Sequence, residues 1–203
     1  MEISYQTGGW VAMSPTDAHP PRARVAEARR NRQNLLAVAT RAFASGAKRV
    51  PLEEIANEAG VGIATLYRHF PTREALVEAV YLDQVERLRT SAQELLRAHP
   101  PGHALRLWME LFVDWAATKH GMIDTLRTII SSGRLESDQM RSELVEIVGM
   151  FLDAGAAAGD IRPDVDAETV AATLAGILSV AGAPEQRDQA ARMLTLLMHG
   201  LRP

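Results

Sequence analysis

Apolar residues along this chain recur at helical spacing. Leu35, Ala39, Ala42 and Phe43 fall at i, i+4, i+7 and i+8, one face of a 3.6-residue period. They predict a first helix from about Arg30 to Ala44, stopped by Gly46. Pro51 suits a first helical turn, and Glu53 and Glu54 follow it at the electropositive end of a helix. That second helix runs to Ala59, turns Ile55, Ala56 and Ala59 inward, and breaks at Gly60. After Gly60-Val61-Gly62, a short third helix from Ile63 to Phe70 buries Leu66 and Phe70 and ends before Pro71.

From Thr72, a capping residue, a long helix extends towards His99 on the stripe Leu76, Val77, Val80, Tyr81, Val85, Leu88, Ala92, Leu95 and Leu96. Pro100-Pro101-Gly102 closes it. Further helices are predicted from about His103 to Thr118, Met122 to Ile130, Ser137 to Ala158, Ala167 to Ala181 and Glu185 to Leu201. Their breaks are Gly121, Ser131-Ser132-Gly133, Gly159 to Pro163 and Gly182 to Pro184. Alternating Val, Ile and Thr runs are absent, so the fold class is all-α with about nine helices. Residues 1–29 carry Gly8-Gly9, Pro15 and Pro20-Pro21 without a period and read as a mobile arm, within which Met13 is an alternative start.

Composition narrows the function classes. The 203 residues suffice for a sizeable core, and 47% apolar with 5% aromatic is globular usage. No uncharged apolar run approaches the roughly 20 residues of a membrane span, and no signal peptide opens the chain, so a soluble cytoplasmic protein is expected. Zero cysteines exclude disulfides, thiolate metal sites and cysteine nucleophiles. His99 and His103 flank a helix break rather than sharing a helix face, so no metal site is expected. Nucleophile motifs, phosphate-cradling glycine loops and paired carboxylates are also missing, so neither an enzyme nor a cofactor is expected.

Charge is unevenly spread. Residues 22–90 carry twelve bases and eight acids, whereas residues 91–203 carry ten and fifteen. Between Arg22 and Arg49 the bases Arg22, Arg24, Arg29, Arg30, Arg32, Arg41, Lys48 and Arg49 face one acid, Glu27. A phosphate-facing surface fits this run, with an ordinary solvated face as the alternative.

Two helices joined by a tight glycine turn, Leu52 to Ala59 and Ile63 to Phe70, form a helix-turn-helix. A reading helix must hold one face on a small core while its front projects towards DNA, and burying only Leu66 and Phe70 permits that. The run from Ile55 to Leu76, with Thr65-Leu66-Tyr67-Arg68-His69-Phe70 and Arg73-Glu74-Ala75-Leu76, closely resembles the N-terminal signature of the tetracycline-repressor family of bacterial transcriptional regulators. The resemblance extends over about a quarter of the chain, from Arg30 to Val80; beyond it, only helicity and length are similar.

That resemblance implies that Thr65, Tyr67, His69 and Arg73 bind phosphate oxygens and that Ile63, Ala64 and Tyr67 approach bases. Arg68 is a further polar candidate for the bases, and Arg30 in the basic run for the backbone. Three positions depart from the family pattern: Gly62 where Ser or Thr usually caps, Ala64 where Gly is frequent, and Pro51 where Thr often touches phosphate. With Gly62, Ile63 and Ala64 in front, few hydrogen-bonding groups meet the base edges. Contact with thymine methyls then carries more of the readout, and Arg22, Arg24 and Arg29 in the arm are candidates for a narrow minor groove.

The segments expected are thus the arm (1–29), a DNA-binding domain (30–73) and a helical ligand-binding and dimerisation domain (74–203). Trp108, Met109, Phe112, Trp115, Met122, Met150 and Phe151 concentrate large, adaptable side chains mid-chain. They are candidates for an effector pocket or plain core. Ala167 to Gly182 carries a bulky stripe and a small one, and the final helix has a wide apolar arc. Two apolar faces call for two partners, the chain's own core and a second subunit. The dimer-contact candidates are Ala171, Leu174, Ala175, Leu178, Ser179, Leu194, Leu197, Met198 and Leu201. The leading reading is a homodimeric repressor that binds a palindromic operator in double-stranded DNA and answers to a small molecule. The alternatives are a ligand-independent architectural DNA binder and an α-helical enzyme with an incidental helix-turn-helix.

Overall fold

The computed structural model describes residues 21–45, 50–181 and 186–203. The chain runs through α1 (Pro21–Ala44), α2 (Leu52–Glu58), α3 (Ile63–His69), α4 (Arg73–Ala98), α5 (Pro101–Ser131), α6 (Ser137–Ala158), α7 (Ala167–Ala181) and α8 (Arg187–Gly200). Among the described residues there is no strand. The fold is all-α, with a helix-turn-helix head leading into a larger helical body. The expectations for residues 1–20, Gly46, Lys48, Arg49 and 182–185 lie outside the described residues.

Two boundaries differ from the sequence reading. Residues 21–29 are not an arm, because α1 starts at Pro21. Proline's fixed φ suits a first helical turn, and Ala, Arg and Glu dominate residues 22–30, so propensity carries the helix although residues 24–29 are exposed. Arg22, Arg24 and Arg29 therefore stand on a helix. The second difference is Gly121, which does not separate two helices but lies inside α5. A Cβ at this position would sit 2.0 Å from the Phe43 carbonyl oxygen. The missing side chain is the condition for α5 to cross the end of α1 at backbone contact, not a signal to stop.

The head packs around Leu35, Val38, Ala39 and Phe43 of α1, Ile55 and Ala56 of α2, Leu66 of α3 and Leu76, Val77 and Val80 of α4, all buried. Thr72 caps α4, its hydroxyl accepting from the Ala75 N–H at 3.1 Å. The same hydroxyl and Glu74's own backbone N–H hold the Glu74 carboxyl below its ordinary range, the backbone bond more strongly. Only His99 and Pro100 separate α4 from α5, so the two helices return on each other as a long hairpin. The Trp108 indole N–H fastens them by donating to the Leu88 carbonyl at 2.9 Å. α6 packs on α4 and α5, α7 on α6, and α8 on α7 and α5. The Arg162 N–H reaches the Leu201 carbonyl at 2.9 Å, tying the α6–α7 loop to the end of α8.

The α1–α5 crossing generates a stability prediction. On an exposed helix, Gly→Ala would gain about 1 kcal/mol of propensity. Gly121→Ala is expected instead to lower stability by about 1–3 kcal/mol, because the new methyl drives α5 off the Phe43 carbonyl. Urea denaturation reads the sign, and a stabilised variant would contradict the crossing.

Candidate nucleic-acid interface

The turn between α2 and α3 is built from backbone bonds. Gly60 adopts φ 69°, a left-handed value that a side chain resists. The Gly60 and Val61 N–H groups donate to the carbonyls of Asn57 and Ala56, each at 3.0 Å, and close α2. Asn34 of α1 adds a side-chain bond, its amide donating to the Ala59 carbonyl at 2.7 Å. Arg41 and Glu58 pair at 2.7 Å on the surface, a contact worth little by itself. Gly62 precedes α3 with extended backbone and no side-chain cap, and Pro51 precedes α2 likewise. These two of the three departures from the resembled pattern thus remove side-chain groups while leaving the helix starts intact.

Within α3 only Leu66 is buried, while Phe70 just beyond it is 2% exposed and plugs the head core. Ile63 and Tyr67 are large side chains left in solvent, at 36% and 45% exposure. Ala64 and Arg68 are exposed, and Thr65 and His69 half-buried. The expected contacts Ile63, Ala64, Thr65, Tyr67, Arg68 and His69 therefore share one short helix, with its apolar anchor behind them. Arg24, Arg29, Arg30 and Arg68 are exposed, and no ion pair holds them among the described residues. Arg32 lies over the Phe70 ring at 5.2 Å.

Arg73 is placed differently from the others. It is half-buried at the start of α4, donates to the Val50 carbonyl at 2.6 Å, and lies over the Phe43 ring at 5.6 Å. This side chain braces the segment leading into α2 against α1.

Of the pocket candidates, Trp108, Met109, Phe112, Trp115, Met122 and Phe151 are buried, and Met150 is half-buried. They form a stacked cluster: Trp108–Phe112 at 5.2 Å, Phe112–Trp115 at 5.1 Å and Trp108–Phe151 at 5.6 Å between ring centroids. Tyr81 joins at Trp115, and burial, with help from Glu143, pushes its phenol above its ordinary pKa. A cavity of about 450 Å³ lies elsewhere, between the start of α5 and the end of α8, lined by residues including His103, Arg106, Asp160, Met198 and His199.

The dimer candidates divide. Ala171, Leu174, Leu194 and Leu201 are buried in the chain's own core, and Leu178, Leu197 and Met198 are half-buried. Ala175 and Ser179 are exposed. They share that exposure with Ala172, Gly176, Val180 and, on α8, Leu196 at 71%, none of which the stripe reading singled out. The assignment of Ala171, Leu174, Leu194 and Leu201 to a subunit contact is thus corrected. Periodicity shows that two faces exist, but which face meets the body depends on how α7 and α8 pack.

Residues 35–80 match the family described as bacterial regulatory proteins, tetR family, and residues 100–203 match the transcriptional regulator SbtR-like C-terminal domain. A TetR transcriptional regulator of Streptomyces coelicolor is 46% identical, with 85% of this chain and 98% of that one covered and a TM-score of 0.77. A TetR regulatory protein of Mycobacterium vanbaalenii is 35% identical, covering 89% and 99%, with a TM-score of 0.69. A gamma-butyrolactone receptor is similar at 26% identity, covering 87% and 90%, with a TM-score of 0.57. Among curated proteins nothing matches. No helix of the described residues is long and apolar enough to cross a membrane. The chain belongs to the tetracycline-repressor family of bacterial transcriptional regulators.

Proposed function

We propose that this regulator acts in the cytoplasm as a homodimeric repressor on a palindromic operator, and that a small molecule entering the α4–α8 body releases it. The observation that carries the reading is the front of α3, where Ile63, Ala64, Tyr67 and Arg68 are exposed while Leu66 anchors the helix from behind. Ile63 and Tyr67 put apolar surface at the front of a short helix, and a major groove lined with thymine methyls is a surface it can meet. The bases of α1 and Arg68 supply the phosphate attraction. The similar gamma-butyrolactone receptor supports a response to a small molecule. Release requires that the ligand bind the DNA-incompetent state more tightly, since equal affinity for both states shifts nothing.

Selection from random DNA tests the reading. Paired half-sites about 34 Å apart support it, and scattered sequences without symmetry favour an architectural binder. Within a selected site, replacing individual thymines by uracil is expected to weaken binding at one or more positions under Ile63 and Ala64, by about 1 kcal/mol or less each. Indifference at every thymine would remove both residues from the readout.

Arg73 is assigned two tasks, bracing Val50 and meeting a phosphate. Arg73→Ala is expected to cost about 1 kcal/mol of stability through the lost bond to the Val50 carbonyl. It should also reduce the salt dependence of DNA binding by about one unit for specific and non-specific DNA alike. A stability loss with an unchanged salt slope leaves Arg73 a brace alone.

The exposed face of α7, with Ala172, Ala175, Gly176 and Ser179, is assigned to the two-fold contact, together with Leu196 of α8. Ala175 is exposed in the monomer, so Ala175→Arg should leave the fold intact. In the dimer the charge would be buried unpaired, on the order of several kcal/mol. Sedimentation should then show a folded monomer with weakened operator binding, whereas a variant that remains dimeric places the interface elsewhere.

A further inference from the structure

Two polar groups of α5 meet at the Trp115 ring, one at its edge and one over its face. Trp115 is 8% exposed, and its indole N–H has no hydrogen-bond partner among the described residues. Trp108, seven residues earlier on the same helix, satisfies the same group on Leu88, so the orphan is not imposed by the cluster as such. One helical turn after Trp115, the Lys119 ammonium lies over the Trp115 ring, 5.0 Å from its centroid. Lys119 is partly buried and has no carboxylate partner among the described residues. Burial pushes its pKa down, with no acid opposing the shift. A buried N–H without an acceptor costs the free protein stability, while the Lys119 cation has the ring face but no anion. A carboxylate has two oxygens, one to accept from the indole edge while its charge meets the ammonium over the ring face.

The rings packed on Trp115 are Phe112 and Tyr81, and the Glu143 carboxylate acts on the Tyr81 phenol. Phe112 stacks at 5.1 Å from Trp115, Tyr81 lies at 6.2 Å, and Met122 is buried on the same helix. Methionine side chains re-pack readily, so a core of this composition can open for a skeleton of modest size. We propose that Trp115 and Lys119 form the polar end of an effector site for an apolar acid, an aliphatic or aromatic skeleton bearing a single carboxylate. The indole N–H donates to one carboxylate oxygen, the ammonium pairs with the charge, and the aromatic cluster covers the skeleton. The inference rests on the reading that the body receives an effector, and adds its chemical class and the two residues that select it.

Octanoate and 1-naphthaleneacetate, each against its own methyl ester, probe the site on the full chain without DNA, by thermal melting and titration calorimetry. At least one acid is expected to raise the melting temperature and to bind roughly tenfold more tightly than its ester, as a charge-assisted bond implies. Trp115→Phe and Lys119→Met should each weaken that acid by roughly tenfold, and Lys119→Met should erase the preference over the ester. In the ligand-free protein, Trp115→Phe should lower the melting temperature less than Trp108→Phe does, since both leave a similar void and only the second breaks a hydrogen bond. The inference is overturned if Trp115→Phe melts as low as Trp108→Phe without ligand, if neither acid binds or is preferred to its ester, or if Nε1 holds an ordered water only. An acid that binds as described but leaves DNA affinity unchanged would sink the repressor-release reading and spare this site. DNA released by some other compound, with no acid binding, would do the reverse.

Discussion

A seven-residue helix cannot fix its own orientation. α3 has too few backbone bonds to persist alone and buries one side chain within its length, so its aim is set by what it leans on. Leu66 and Phe70 hold it to α1, α2 and α4, and α1 in turn is held by α5 where Gly121 meets the Phe43 carbonyl. Everything the head offers to DNA thus depends on one backbone-to-backbone crossing and on the α4–α5 hairpin beside it. The crossing is stiff because close-packed helices have no slack to absorb a shift. A change in the body that moves α5 must move α1, or break the contact.

The aromatic cluster lies on the same helix as that crossing. Trp108, Phe112 and Trp115 occupy the part of α5 that precedes Gly121, and Lys119 falls between the cluster and the crossing. Trp108 additionally grips α4 through Leu88, and α4 begins at Arg73, the residue that braces Val50. Two helices therefore run from the cluster to the head, and a ligand needing room at Trp115 would act on both. The proposed linkage between body and head would follow from this packing, with no separate relay required.

Legibility in the sequence followed the range of the forces involved. The helix-turn-helix was readable because its determinants are local: Gly60 at a left-handed turn, Leu66 and Phe70 at one face, Thr72 capping α4. Ile63, Ala64 and Tyr67 were placed by the family resemblance, and Arg68 as the polar candidate beside them. Gly121 was misread because its role depends on Phe43, 78 residues away, and a glycine that permits contact has the same letter as one that ends a helix. The start of α1 was misread because Pro20-Pro21 resembles loop punctuation, whereas Pro21 opens the helix. Which stripe of α7 faces outward depended on tertiary packing, and so Ala172, Gly176, Val180 and Leu196 were missed. Trp115 was visible only as one aromatic among several, and its orphaned N–H is a property of what surrounds it.

The central claim is that α3 meets DNA with its exposed front while α7 and α8 stay away from it. Hydrogen exchange of the full chain, with and without DNA selected from a random pool, tests this most directly. Slowed exchange is expected across residues 62–70 and the start of α4, with little DNA-dependent change on the outer face of α7. Unchanged exchange across α3, with protection appearing on α7 and α8 instead, would contradict it.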